Sequence, residues 1–289
     1  MRISVSEMSY VSACAKVNLT LELLGGRDDG YHEIRTILQS IGLEDKLYFE
    51  YASSVNVTCS VQELENERNL VYRATCLLQK RSGCHRGVKI FVEKGIPIGM
   101  GLGGGSSDAA QTLVALDRLW ELGLGRDGLL PIAADLGSDV PFFLTGGTAL
   151  GEGRGDEITL LRSLPEMWLV LLCPPMVLPE KTARMYSLLT DQNASDGAVV
   201  DGAIECINNG YFNEKYLYNV FENVVSKVYK GFDSLIEDFI QAGAPRVSLS
   251  GSGPALFSFV KNKTEGEVLC EALQEKGFLA YLIRTVTRE

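Results

Sequence analysis

The residues best suited to chemistry lie in one run, Pro97-Ile98-Gly99-Met100-Gly101-Leu102-Gly103-Gly104-Gly105-Ser106-Ser107-Asp108. Five glycines fall within seven residues, and two hydroxyls and a carboxylate follow. Without side chains, backbone N–H groups can converge on a guest, and a helix start behind them adds the positive end of its dipole. Such a loop suits a phosphate. The plain alternative is a glycine-rich turn, but a connection needs only about two residues and a flexible run costs ordering entropy. Three further places carry ionisable or planar groups. Lys16 stands in Ala15-Lys16-Val17-Asn18-Leu19, where alternation alone reads it as a solvated strand lysine. Asp139 stands two residues before Pro141, where a turn or cap residue is the ordinary reading. His32 follows Tyr31; alone it reads as a hydrogen-bonded structural residue, but an aromatic beside a polar ring suits a planar base.

These residues need elements to position them. Residues 88–94 alternate as a strand before the glycines, and residues 109–120 read as a helix after them, with Leu113, Leu116, Leu119 and Trp120 at helical spacing. The order is strand, glycine loop, helix. A P-loop would need lysine after Gly105, where Ser106 stands. A Rossmann fingerprint forced onto Gly99, Gly101 and Gly104 leaves Glu121 as its acidic residue, on or at the end of a helix rather than at a strand tip.

Elsewhere, residues 10–24 alternate as a strand pair or one long strand, residues 25–30 form a turn, and an apolar run covers 34–41. Strands are expected at 47–51 and 55–59, and a helix at 70–78 with Asn69 as N-cap. A helix at 128–136, a strand from 146 and a turn at 151–156 follow. The apolar run 167–173, ended by Pro174-Pro175, reads as a buried strand, and the domain boundary is placed just before it, near Leu164-Pro165. The expected domains are therefore 1–164 and 165–289. In the second, a helix covers 181–189 with Ala183, Tyr186 and Leu189 on one stripe, and 191–201 reads as a mobile loop. Helices over 220–242 break near Gly231 and Asp233, 247–260 reads as strand, glycine turn, strand, and a helix at 264–275 and a strand at 279–285 close the chain. The order β-α-α-β-β-α-β suggests a ferredoxin-like second half in an α+β protein.

Bulk properties narrow the function. With 289 residues, 46% apolar and 22% charged, a sizeable core is available. A formal net charge of −10 argues against a general nucleic-acid binder. The seven cysteines, at 14, 59, 76, 84, 173, 206 and 270, are odd in number and dispersed without Cys-x-x-Cys, and only two histidines could join them at a metal. They read as reduced small hydrophobes in a cytoplasmic protein. No signal-peptide or membrane-spanning run is found, so no membrane partner is expected.

The run from Pro97 through Ala110 resembles the nucleotide loop of the GHMP kinases, small-molecule kinases with two lobes. Ala15-Lys16-Val17-Asn18-Leu19 with Arg27-Asp28-Asp29-Gly30-Tyr31-His32, the block Gly137–Phe142, and Ser250-Gly251-Ser252-Gly253-Pro254 extend the resemblance over most of the chain. It implies an N-terminal ribosomal-protein-S5-like domain, a C-terminal ferredoxin-like domain, and phosphoryl transfer from ATP with Mg²⁺. It assigns the proton-accepting base to Asp139 and its ammonium partner to Lys16. ATP would be wrapped by Pro97, Ile98, Gly99, Met100, Gly101, Leu102, Gly103, Gly104, Gly105, Ser106 and Ser107, with Asn69 and Lys94 bordering the adenosine. Ser106 and Ser107 would offer hydroxyls to phosphate or to the water shell of magnesium. The Asp-Gly-Tyr-His block points to a small-molecule acceptor linked to cytidine diphosphate, with Tyr31 and His32 holding the cytosine and Asn18 the sugar-alcohol hydroxyls. Tyr186 is a candidate stacking partner across the base, or equally a core residue of its helix. Gly251, Ser252 and Gly253 would abut the phosphates. Other acceptors within the family, such as mevalonate, homoserine or a sugar, and a non-catalytic nucleotide-binding protein are the alternatives. A monomer or weak homodimer is expected, and the dozen residues before the first motif are expected to be disordered.

Overall fold

A computed structural model describes residues 10–176 and 178–287. Most of the extension before the first motif therefore lies outside the described residues. The chain forms two compact units, neither of them continuous in sequence. The first comprises the described residues up to Ala15 together with Leu43–Ile96 and Gly103–Leu144. The second comprises Lys16–Gly42, Pro97–Leu102 and the described chain from Thr145 onward, so Leu164 and Pro165 lie inside it.

Two long strands, β1 (Val11–Gly26) and β2 (His32–Ala52), contribute residues to both units. β2 joins the apolar run 34–41 and the strand expected at 47–51 into one element of 21 residues. From Ala15 to Leu23 every residue of β1 is buried, including Lys16, Asn18, Thr20 and Glu22. Alternation on this strand thus separates an apolar from a polar face, both of them covered. Lys16 is 3% exposed, which overturns its reading as a solvated lysine.

In the first unit β3 (Val55–Cys59) leads through α1 (Leu70–Ser82) to β4 (Gly87–Glu93). β3 and β4 are parallel, as a helical crossover requires. β4 runs antiparallel to the end of β2, from Lys46 opposite Glu93 to Ala52 opposite Gly87. Asn69 caps α1, its Oδ1 accepting from the Val71 N–H at 2.9 Å. Next come α2 (Gly104–Leu119), α3 (Gly125–Leu136) and the single turn α4 (Val140–Phe143). Leu113, Leu116, Leu129, Ile132 and Phe142 bury the faces they share. α2 begins five residues before its apolar period does, because left-handed Gly103 forms the N-cap and the next glycines occupy the first turn.

The second unit adds β5 (Thr148–Glu152), antiparallel to β2 at Thr36–Gln39, and β6 (Glu157–Leu160), antiparallel to β5. The rest of the chain runs β7 (Trp168–Cys173), α5 (Lys181–Tyr186), α6 (Ala198–Asn208), β8 (Tyr218–Asn219), α7 (Val225–Val228), α8 (Phe232–Gln241), β9 (Ser248–Leu249), β10 (Leu256–Val260), α9 (Lys263–Glu275) and β11 (Leu279–Arg284). Four of these strands form an antiparallel sheet in the order β11-β7-β10-β9. First and third strands lie central and helices connect first to second and third to fourth, the ferredoxin-like arrangement expected. Its core joins Val170, Leu172, Phe239, Leu256 and Leu269 to Leu21, Leu23 and Ile34 from the two long strands. β8 pairs in parallel with β1 at Thr20 and Leu21.

Two expectations fail here. The helix expected at 181–189 ends at Tyr186. The segment 191–201 is no loose loop: a 3-10 turn covers Asp191–Asn193, and α6 begins at Ala198. The buried Glu22 carboxylate explains the order, accepting from the Ser195 hydroxyl at 2.8 Å and the Val200 N–H at 2.7 Å. Polar residues that look solvated in sequence here satisfy a buried charge. Among the described residues no helix is long and apolar enough to cross a membrane. The cysteines are all free thiols, and burial pushes Cys173 up to about 12.

Candidate active site

In the second unit the glycine loop is anchored by its apolar residues. Met100 and Leu102 are buried, while Gly99 and Gly101 between and before them have φ of 76° and 83°. Left-handed glycines thus alternate with anchored apolar residues, a backbone arrangement compatible with an anion nest. The loop is fixed by three bonds. The Leu102 carbonyl accepts from the Lys16 N–H at 3.0 Å, the Met100 carbonyl from the Ala255 N–H at 3.2 Å, and the Gly101 carbonyl from the Ser250 hydroxyl at 3.2 Å. Two motif blocks distant in sequence thus clasp the third.

Lys16 lies where they meet. Its Nζ donates to Asn18 Oδ1 at 2.7 Å, Asn18 Nδ2 donates to Thr36 Oγ1 at 2.7 Å, and Thr36 Oγ1 donates to the Thr20 carbonyl at 2.7 Å. This relay holds both side chains in one rotamer. Gly251 packs against them so closely that an added Cβ would stand 3.2 Å from Lys16 Nζ, 3.3 Å from Asn18 Oδ1 and 3.1 Å from the Gly101 carbonyl. Asn219, which no sequence pattern singles out, secures that glycine turn from β8: its Nδ2 donates to the carbonyls of Leu249 at 2.9 Å and Gly251 at 2.8 Å. From α5, the Lys181 ammonium donates to the Gly253 carbonyl, and the Thr182 hydroxyl meets that of Ser252 at 2.9 Å.

Gly101→Ala tests the closeness of this clasp. An added Cβ would collide with the Ser250 carbonyl and approach Gly253 N and O to 3.1 Å, on a backbone that disfavours any side chain. At Gly123, φ is also positive, at 68°, but nothing lies within 4 Å. Positive-φ strain costs about 1–3 kcal/mol in each. Thermal melts should therefore show Gly101→Ala the more damaged, with its KM for ATP also raised; equal melting temperatures would mean the clasp is loose.

His32 and Tyr186 also come together in this unit, stacked with ring centroids 4.9 Å apart and planes inclined by 19°. Phe221 meets the Tyr186 ring edge-on at 4.8 Å. Tyr186 is thus both a core residue of α5 and the backing of His32. The two rings are in direct contact, with no slot between them. Tyr31 is 55% exposed, and the Arg154 guanidinium lies 5.0 Å from its ring centroid.

The first unit holds the start of α2, where no side chain caps the helix and the leading N–H groups have no intrahelical acceptor. Gly105 is exposed and Ser106 half-buried, so both can meet a ligand. Ser107 is buried, and its hydroxyl donates to the Cys14 carbonyl at 2.7 Å. The two serines therefore divide: Ser107 fastens the helix start to β1, and Ser106 remains partly accessible. Lys94 is tied to Asp45 and, at 2.7 Å, to Asp108. Burial works against its charge, but Asp108 and Asp45 more than offset this and raise its pKa. Burial also pushes Asp108 up to about 7, with Lys94 pulling it down and Asp45 pushing it further up. The carboxamide of Asn69 is taken up by its cap and by the Leu64 carbonyl, to which Nδ2 donates at 2.9 Å. Asp139 is half-buried at the head of α4 with φ −79° and ψ −17°, and its side chain does not cap that helix.

A strand, a glycine loop with left-handed turns, an uncapped helix start and a buried lysine are the parts of a phosphoryl-transfer enzyme that uses positioning more than covalent chemistry. Comparison with known proteins agrees. The GHMP kinases N terminal domain family matches residues 69–147 and the GHMP kinases C terminal family residues 199–278. A 4-diphosphocytidyl-2-C-methyl-D-erythritol kinase of Dehalococcoides mccartyi is 42% identical over 280 residues, covering 96% of this chain and 99% of that one. A crystal structure of 4-(cytidine 5'-diphospho)-2C-methyl-D-erythritol kinase superposes with a TM-score of 0.82 at 32% identity, covering 96% and 99% of the two chains. A homoserine kinase from Cytophaga hutchinsonii shares the fold, with a TM-score of 0.70 at 16% identity and coverage of 100% and 98%. The chain belongs to the GHMP kinase family, as a small-molecule kinase that phosphorylates an alcohol. Within that family, relatives 37–42% identical that cover 94–96% of this chain are 4-diphosphocytidyl-2-C-methyl-D-erythritol kinases.

Proposed function

We propose that this chain transfers the γ-phosphoryl group of ATP to the 2-hydroxyl of 4-(cytidine 5'-diphospho)-2-C-methyl-D-erythritol, a step of the non-mevalonate route to isoprenoid precursors. The observation that carries the reading is Lys16: its buried side chain is held by Asn18 and packed against the Gly251 turn, while its backbone N–H bonds the glycine loop at Leu102.

In the reaction a bond forms between the acceptor oxygen and the γ-phosphorus while the bond from that phosphorus to the β,γ-bridging oxygen breaks. Asp139 takes the proton of the acceptor hydroxyl. Lys16 stabilises the developing alkoxide, which an unassisted carboxylate could not generate efficiently. Asn18, fixed by Thr36, orients the hydroxyls of the acceptor. The glycine loop and the N–H groups of Gly104, Gly105 and Ser106 receive the triphosphate, and Gly251, Ser252 and Gly253 close on the phosphates. Tyr31 and His32 hold the cytosine, with Tyr186 behind His32.

Among the described residues no group of three or more His, Cys, Asp or Glu could hold a metal. Magnesium carried by the nucleotide with its own waters needs none, and the partly accessible Ser106 hydroxyl would suit that water shell. It would neutralise charge on the triphosphate. The setting that suits this chemistry is the cytoplasm, with a small-molecule substrate, no nucleic-acid or membrane partner, and a monomer or weak homodimer.

ATP consumption measured beside four acceptors tests the assignment. Turnover is expected with 4-diphosphocytidyl-2-C-methyl-D-erythritol and not with mevalonate, homoserine or galactose. Equal turnover on any of the last three would defeat the acceptor assignment, and no turnover on any would defeat the reaction.

A further inference from the structure

Three charged side chains of the first unit, near the points where the chain enters and leaves the glycine loop, are not used by the mechanism above. Asp45 comes from β2, Lys94 follows β4, and Asp108 lies in the first turns of α2. The side chains are 0%, 7% and 6% exposed. Asp45 Oδ1 accepts from the N–H groups of Gly95 at 2.7 Å and Ile96 at 2.8 Å, while its Oδ2 binds the Lys94 ammonium. Lys94 then reaches Asp108 Oδ2 at 2.7 Å. Gly104 sits so close that an added Cβ would stand 3.3 Å from Asp45 Oδ2 and 3.1 Å from Ile96 Cγ2.

The two ends tied in this way are the two ends of the loop. Lys94, Gly95 and Ile96 are the last residues before residue 97, and Gly104 and Asp108 follow residue 103. A carboxylate from a third element fastens both. Stability alone does not account for the arrangement: buried ion clusters are commonly no better than apolar residues of the same volume, and here Asp108 Oδ1 is buried without a hydrogen-bond partner. What charged groups supply is a fixed separation, set by hydrogen bonds of defined length and direction.

We propose that Asp45, Lys94 and Asp108 are positioning residues for nucleotide binding, holding the two ends of the glycine loop at the separation its N–H groups need to face the triphosphate. The inference rests on the reading that this loop binds ATP. Lys94 acts through the loop's ends rather than by reaching the nucleotide with its ammonium, which is already engaged by two carboxylates. A merely structural cluster would affect melting and both substrates alike. A positioning cluster affects ATP alone.

The double variant Lys94→Met with Asp108→Leu replaces the pair by apolar groups and should keep the fold while untying the loop. Its KM for ATP should rise about tenfold or more, with KM for the acceptor within about twofold. Asp108→Asn, which keeps an oxygen facing Lys94, should stay within about threefold of the parent in both constants. If the double variant melts below the assay temperature, Asp45→Asn, which retains an oxygen for Gly95 and Ile96 but not the charge facing Lys94, should show the same split between substrates. An unchanged KM for ATP, or both KM values rising together, overturns the proposal. Parent protein that turns over the acceptor without using ATP would instead overturn the reading beneath it.

Discussion

Asp139→Asn will lower kcat by about 10²–10⁴-fold and leave KM for ATP within about threefold. The substitution is nearly isosteric. Asp139 lies at the head of α4 on helical backbone, and its side chain does not serve as that helix's cap. Asparagine fits the same place, so the variant should remain folded at assay temperature. What is lost is the acceptor of a proton. An alcohol attacking phosphorus must shed its proton during the reaction, and the amide has no basic lone pair to receive it. Steady-state kinetics with both substrates varied will show the pattern, as will direct titration of ATP into the variant. Turnover within threefold of the parent would remove Asp139 as the base.

Lys16→Met ranks second in expected effect, with kcat falling by about 10²–10³-fold. Here a structural cost must be separated from the chemical one. Lys16 is buried, and Met would fill much of its volume, but Asn18 Oδ1 would lose the donor that holds it at 2.7 Å. Leaving such an acceptor unsatisfied costs about 1–3 kcal/mol. A lower melting temperature is therefore expected together with a folded protein at assay temperature. The chemical effect is distinguished by where it appears: ATP binding should survive, because Met retains the backbone N–H of residue 16 that the Leu102 carbonyl accepts. Loss of ATP binding equal to the loss of turnover would recast Lys16 as a structural residue.

The parts of this site that were legible in the sequence are those whose function resides in a local run. The glycine loop announces itself by composition, and Lys16, Asn18, Asp139 and the turn at Gly251 stand inside recognisable blocks. The four strands and intervening helices of the second half follow from their periodicity and turns. What stayed hidden depends on partners distant in the chain. Lys16 reads as solvated because alternation along β1 implies a wet face, and nothing local tells that this face is covered. Asp45 is one acidic residue in a chain rich in them, and only the N–H groups of Gly95 and Ile96 give it meaning. Asn219 belongs to a strand of two residues, too short for any period, yet it secures the turn beside Lys16. α6 was concealed by Gly, Ala and Asp at its beginning, whose order comes from Glu22 far upstream. Ser106 and Ser107 are adjacent and alike, and only the Cys14 carbonyl assigns one inward and leaves the other partly accessible.

The interrupted course of the chain through its two units bears on how a ribosome can deliver this protein. Lys16–Gly42 emerges early, but β5, with which Thr36–Gln39 pairs, and β8, with which Thr20 and Leu21 pair, lie more than a hundred residues downstream. Such separations carry a loop-closure entropy before any contact rewards it, and they slow folding. The early strands must therefore wait unpaired along those edges, their sticky backbone groups exposed, until the distal half has been synthesised. Dividing the gene at residue 164 to express the halves alone would make that waiting state permanent for the N-terminal fragment wherever its partner strand lies beyond the cut, as β8 does.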